Sequence, residues 1–91
     1  MELRIAAVTI IVEKIESAQQ LNQILSEYGQ YMIGRFGIPY RERCVNIICV
    51  VVEAPQDKIS ALSGKIGRLP GVTVKTTYSN VITKTKQEET T

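Results

Sequence analysis

The chain has no histidine and no tryptophan, one phenylalanine, and only two cysteines in 91 residues. Without histidine, the imidazole ligands of most zinc and nickel sites are missing, and so is the commonest general acid–base group. Cys44 and Cys49 lie in one segment predicted to be a strand, at opposite parity, so they point to opposite faces and cannot bridge each other. Nor do they form the close loop pair that holds soft metal ions. They are expected to be buried reduced thiols, and no metal or cofactor is implied. Apolar runs of membrane-spanning length are lacking as well. The stretch after Met1 is too short to span a bilayer and lacks the basic start and cleavage site of a secretory signal, so no membrane contact is expected and the location expected is the cytoplasm. Charge of one sign is also scarce. Eleven Lys and Arg are scattered among nine acidic residues, for a net charge of +2. Nucleic-acid modules concentrate their basic residues in a stripe, so binding of nucleic acid by this chain alone is not expected.

What the chain does have is two stretches, Arg4-Ile-Ala-Ala-Val-Thr-Ile-Ile-Val12 and Val45-Asn-Ile-Ile-Cys-Val-Val-Val52, that are apolar at both odd and even positions. A strand with one wet face would alternate; continuous apolarity means that both faces are covered. A domain of this size has little material for a second cover, and another copy of the chain is the expected one. A homodimer or homotetramer follows as the expected state.

The remaining elements are read from periodicity and punctuation. Ser17-Ala-Gln-Gln20 has the spacing of a capping box. A helix follows with Ala18, Leu21, Leu25 and Tyr28 on one stripe and Gly29 as its terminator. Ile33-Gly-Arg-Phe-Gly-Ile38 reads as a weaker strand, with a bulge or an edge position signalled by its glycines. Pro39-Tyr-Arg-Glu42 is expected to turn the chain into the long apolar strand. A second helix follows Pro55, with Asp57 in its first turn and Ile59, Leu62, Ile66 and Leu69 as its buried stripe. Pro70-Gly71 stops it, and Val72-Thr-Val-Lys-Thr-Thr-Tyr78 alternates as a half-exposed strand. Residues 1–80 form one domain, and 81–91 read as a polar, disordered tail.

The order is β-α-β-β-α-β, the ferredoxin-like pattern of the α+β class. Right-handed crossovers place the first and third strands at the centre of an antiparallel four-stranded sheet, the second and fourth at its edges, and both helices on one face. The other face is left apolar and open, which usually marks an interface.

This fold hosts many functions, so function rests on particular residues. RNA-binding domains of the same strand order stack bases on aromatic rings of the central strands, and here those strands carry none. Acylphosphatases of this fold hold phosphate on a glycine-rich loop with an arginine after the first strand; that loop here is Glu13-Lys-Ile-Glu16. The segment Gly34-Arg-Phe-Gly-Ile-Pro-Tyr-Arg-Glu-Arg43 gathers arginine, aromatic and turn residues and is the best candidate for binding an anion or a partner, through Arg35, Gly37, Pro39 and Arg41. Solvated charge that discourages strand pairing is the competing reading. On the second helix, Ser60, Gly64 and Gly67 group away from the apolar stripe. Each interior glycine costs about 1 kcal/mol relative to alanine, so either a neighbouring subunit or a ligand approaches that face or the glycines are merely tolerated.

The stretches Arg35-Phe-Gly-Ile-Pro39, Arg41-Glu42, Ala61-Leu-Ser-Gly-Lys-Ile-Gly67 and Gly71-Val-Thr-Val-Lys75, with Val12-Glu13, together resemble the family of iron-only hydrogenase system regulators, the Ala61–Gly67 run being the most specific. The resemblance implies an ACT-like fold, related in shape to the ligand-binding domain of the nickel-responsive repressor, oligomers of paired or stacked sheets, and a role near hydrogenase maturation. Two features depart from those relatives. The nickel-responsive domain binds its ion mainly through histidines, and amino-acid-binding ACT domains commonly carry a glycine in the loop occupied here by Glu13 to Glu16. The expectation is a non-enzymatic regulatory module that binds a small molecule or a protein partner. An assembly adaptor without ligand, and an acylphosphatase-like enzyme using Arg35 or Arg41, are the alternatives.

Overall fold

Strand β1 (Leu3–Val12) leads through a 3-10 turn at Ile15–Ser17 into helix α1 (Ala18–Glu27), and strands β2 (Met32–Tyr40) and β3 (Val45–Ala54) follow as a hairpin. Helix α2 (Gln56–Gly67) then crosses to strand β4 (Val72–Thr83). This is a computed structural model, and it describes residues 2–83. The sheet order is β2-β3-β1-β4 with every pair antiparallel, so the doubly apolar strands are central and the glycine-bearing and threonine-rich strands are the edges. The α+β, ferredoxin-like reading holds.

Register explains the core. Ala6, Val8 and Ile10 of β1 stand opposite Val52, Val50 and Ile48 of β3 on one face. There they meet Leu21 and Leu25 of α1 and Ile59, Leu62 and Ile66 of α2. Nearly all of these side chains are fully buried; Ile48 is packed at the margin. Each fully buried Val, Leu or Ile among them contributes about 1.5–3 kcal/mol by leaving water. The opposite parity forms the open face. Ala7, Thr9 and Ile11 pair there with Val51, Cys49 and Ile47, and β2 adds Phe36, Ile38 and Tyr40. Phe36 remains 58% exposed and Ile38 51%. The apolar second face is therefore present, and its aromatic rings come from the edge strand.

Arg4 sits in a central strand because its guanidinium is held at the sheet's end. It donates to Gln56 Oε1 at 3.0 Å and to the Ser79 carbonyl at 3.2 Å, and it lies 5.0 Å from the Tyr78 ring centre. The cation thereby links β1, α2 and β4.

Several local expectations are corrected. Ser17 does stand at the N-cap position of α1, as the last residue of the 3-10 turn before it, but its hydroxyl makes no cap; it donates to the Pro70 carbonyl at 2.6 Å. Helix α1 ends at Glu27 with Tyr28 as its C-cap, and Gly29 opens a 3-10 turn instead. Strand β2 extends beyond the expected 33–38, so Pro39 and Tyr40 are strand residues; an edge strand accepts a proline that has no ladder donor to lose. The expected bulge falls where the register shifts between Met32 and Gly34. The turn lies later, as a 3-10 turn at Arg41–Arg43 closed by Cys44 in the left-handed region at φ 55°. Cys44 is thus outside strand β3 and exposed, and Cys49 is only half-buried, which overturns the expectation of two buried thiols in one strand. Strand β4 runs to Thr83, past the boundary expected at residue 80; the rest of the expected tail lies outside the described residues.

Candidate functional site

Two loops meet at the end of the sheet where β1 and β2 finish and β3 begins. The loop leaving β1 is held from the far side of the fold, because the Glu13 amide donates to the Gly71 carbonyl at 2.7 Å and Ser17 Oγ to that of Pro70. Gly71 adopts φ +68°, and a Cβ there would stand 2.5 Å from Lys14 Cγ, so only glycine allows the Lys14 stem to lie across the α2–β4 connection. The facing wall is the hairpin end, set by Pro39 and by the Arg41–Cys44 turn, in which the Cys44 amide donates to the Arg41 carbonyl at 3.2 Å.

Between these walls lies a cleft of two lobes. The larger, about 650 Å³, is lined by apolar side chains including Val12, Ile15, Pro39 and Val45, with Lys14 and Arg41 among its charged residues. The smaller, about 270 Å³, lies between the start of α1 and the inward side of the hairpin, and its lining includes Arg35, Gly37, Pro39 and Asn22. Val12, Pro39 and Asn46 belong to both lobes. Pockets of this size and lining are the usual form of small-molecule sites.

The four hairpin residues singled out from the sequence converge on this cleft. Arg35, Gly37 and Pro39 line the smaller lobe, and Pro39 and Arg41 the larger. Strand alternation accounts for the first three, since Arg35, Gly37 and Pro39 stand opposite Val50, Ile48 and Asn46 on the helix-facing parity. The α2 group is elsewhere. Ser60 and Gly64 are exposed on the helix surface with open space beyond Gly64, whereas Gly67 is explained within the chain, since a Cβ there would come within 3.3 Å of Val74 Cγ1.

Sequence reasoning passed over the other wall and the floor. In the sequence, Lys14, Ile15 and Glu16 read only as part of an acidic loop without glycine. Asn46 carried a signal that parity could have found: with Arg4 at the far end of β1, it is one of two polar residues on the inward side of the central strands, where β1 otherwise has Ala6, Val8, Ile10 and Val12 and β3 has Ile48, Val50, Val52 and Ala54. Chemically, the cleft offers one thiol, Cys44, with Glu13 and Glu16 as its carboxylates. Among the described residues no cluster of three or more acidic or cysteine side chains is placed to hold a metal ion. No helix is long and apolar enough to cross a membrane.

Comparison with known proteins gives three findings. The family model described as "TM1266-like: Iron-only hydrogenase system regulator, putative" matches residues 4–76. The structure of the uncharacterized protein TM1266 from Thermotoga maritima superposes with a TM-score of 0.80 at 36% identity, over 84% of this chain and 96% of that one. A formyltetrahydrofolate deformylase from Pseudomonas putida KT2440 superposes at 0.62 and 16% identity, over 85% of this chain and 29% of that one, a likeness of fold alone. No curated protein matches the chain.

Proposed function

Because the chain belongs to the TM1266-like family, described as regulators of the iron-only hydrogenase system, we propose that it is a regulatory module acting by binding: a small-molecule effector occupies the two-lobed cleft, and a homodimer or homotetramer built on the open sheet face carries the response. The observation that supports an effector site is the convergence of Arg35, Gly37, Pro39 and Arg41 on one largely apolar cleft beside the loop after β1. Binding rather than turnover is favoured by the lining. Cys44 has no histidine anywhere in the chain to activate it, and the loop after β1 lacks the glycine-rich phosphate cradle an acylphosphatase uses. Control of the hydrogenase system then runs through a protein partner in the cytoplasm.

An adaptor that works without an effector is the second reading, favoured by the exposure of Phe36, Ile38 and Tyr40 on the open face. A native mass spectrum of freshly purified protein separates the two. Oligomers carrying excess mass support the effector reading, and oligomers of bare chain mass favour the adaptor. Monomers alone would overturn both. A host strain lacking the chain should show altered hydrogenase activity, and an unchanged activity would remove the regulatory assignment.

A further inference from the structure

The reading of the cleft as an effector site leaves open what kind of molecule it takes, and the placement of its polar groups narrows that choice. Asn46 faces Val12 across the β1–β3 ladder and Pro39 across the β2–β3 ladder, which puts its carboxamide on the helix-facing parity at the junction of the two lobes. It is half-buried, and its side chain makes no hydrogen bond among the described residues. Its polar atoms are not sealed in the core, so at the surface of the cleft they are free to pair with a ligand.

Gly37 adds a second observation. A Cβ at Gly37 would stand 3.6 Å from Ile48 Cγ1, an ordinary contact, so packing does not demand glycine there. Its backbone is not in the left-handed region either. What the missing side chain does is leave the floor of the smaller lobe open between Arg35 and Pro39.

Charge supplies the third. The whole cleft is lined by Lys14, Arg35 and Arg41 against Glu13 and Glu16, one positive charge in excess, and none of these five forms an ion pair among the described residues. Both carboxylates line the larger lobe only. The smaller lobe has Arg35 as its sole charged group, accompanied by the carboxamides of Asn22 and Asn46. One planar guanidinium with two amide donors matches a single carboxylate, whereas a phosphate dianion would meet one cation here and no net positive charge next door, where Lys14 and Arg41 are balanced by Glu13 and Glu16.

We propose that the cleft binds a small organic monoanion, whose carboxylate pairs with Arg35 and accepts hydrogen bonds from Asn22 and Asn46 in the smaller lobe, while its aliphatic body lies along Val12, Pro39 and Val45 in the larger. The inference rests on the effector reading above and adds the chemical class. Placing the head beside Arg35 keeps it away from Glu13 and Glu16, and the apolar larger lobe gains from displacing water.

The test is a titration of the isotope-labelled full chain, followed by amide resonances at neutral pH and fixed ionic strength, with hexanoate, hexanamide and hexyl phosphate as probes. Hexanoate should shift the side-chain amides of Asn22 and Asn46 and the Gly37 backbone amide in a saturable manner. Hexanamide and hexyl phosphate should bind at least about tenfold more weakly, the scale of one charge-assisted pair. Arg35→Gln should weaken hexanoate by about the same factor, and Gly37→Leu, on an exposed edge, should abolish binding with the far-ultraviolet dichroism unchanged. Equal binding of hexanamide in the cleft, tighter binding of hexyl phosphate, or an Arg35→Gln variant of undiminished affinity would each overturn the carboxylate assignment and leave the effector site standing. No response of any cleft resonance to any probe would remove both.

Discussion

Replacing Gly71 with alanine should be the most damaging small change in the connection between α2 and β4. The residue sits at φ +68°, a region that costs an ordinary L-residue about 1–2 kcal/mol. The new Cβ would also stand 2.7 Å from Lys14 Cβ and 2.5 Å from Lys14 Cγ. Lys14 Cβ belongs to the base of its side chain and cannot swing away without its backbone. The loop after β1 must therefore shift, and the Glu13 to Gly71 hydrogen bond goes with it, a further loss of about 1 kcal/mol. Together these predict a destabilisation of about 2–4 kcal/mol, a large share of a small domain's stability. Urea unfolding followed by circular dichroism measures it, with Gly71→Asn as the control. Asparagine tolerates the left-handed region better but carries the same Cβ, so an equal loss in both variants assigns the effect to Lys14, and a smaller loss for asparagine assigns it to the backbone. A Gly71→Ala protein within 0.5 kcal/mol of the parent, where ordinary surface substitutions fall, would refute the reasoning.

Other substitutions give different signs. Gly64→Ala, where a Cβ meets nothing within 4 Å, should stabilise the chain by about 0.5–1 kcal/mol in the same unfolding assay, while Gly67→Ala should gain less because Val74 stands 3.3 Å away. Gly64→Leu should leave folding intact and lower the oligomer mass in native spectra if the α2 surface is a subunit contact; unchanged mass would take that surface out of the assembly. Ser17→Ala removes a hydroxyl that is almost wholly buried against the Pro70 carbonyl and should cost about 1–2 kcal/mol of unfolding free energy. Ile38→Lys places a charge on the open face without touching the core, and light scattering should report a smaller assembly; a mass equal to the parent's would count against oligomerisation through that face.

The strand order could be read from the chain because its cause is local: apolarity at both parities distinguishes strands 4–12 and 45–52 from their neighbours, and handedness leaves one arrangement for them. Helix faces were legible for the same reason, with Ile59, Leu62 and Ile66 buried as their spacing requires. Ser17 shows where that kind of reading stops. A hydroxyl three residues before a glutamine looks like a cap, but its partner is a carbonyl 53 positions away, which no local pattern contains. Cys44 is a similar case, since a left-handed turn residue is usually glycine or asparagine and cysteine gives no signal of it. On the site, the arginines and turn residues of the hairpin stood out by composition. The opposing wall did not, because Lys14 and Ile15 become cleft residues only through the tertiary clasp onto Pro70 and Gly71.

The strand made first is the strand that ends in the middle. Strand β1 pairs with β3 on one side and β4 on the other, so neither of its hydrogen-bonding edges is occupied until much later residues have been synthesised, and the second stays open until the last strand arrives. During translation, an apolar segment therefore waits with two unpaired edges until β3 is made, and with one until β4 is. That is the arrangement in which unfinished chains find one another before they find themselves. An architecture that reserves its centre for its beginning makes the final strand the step that removes the hazard.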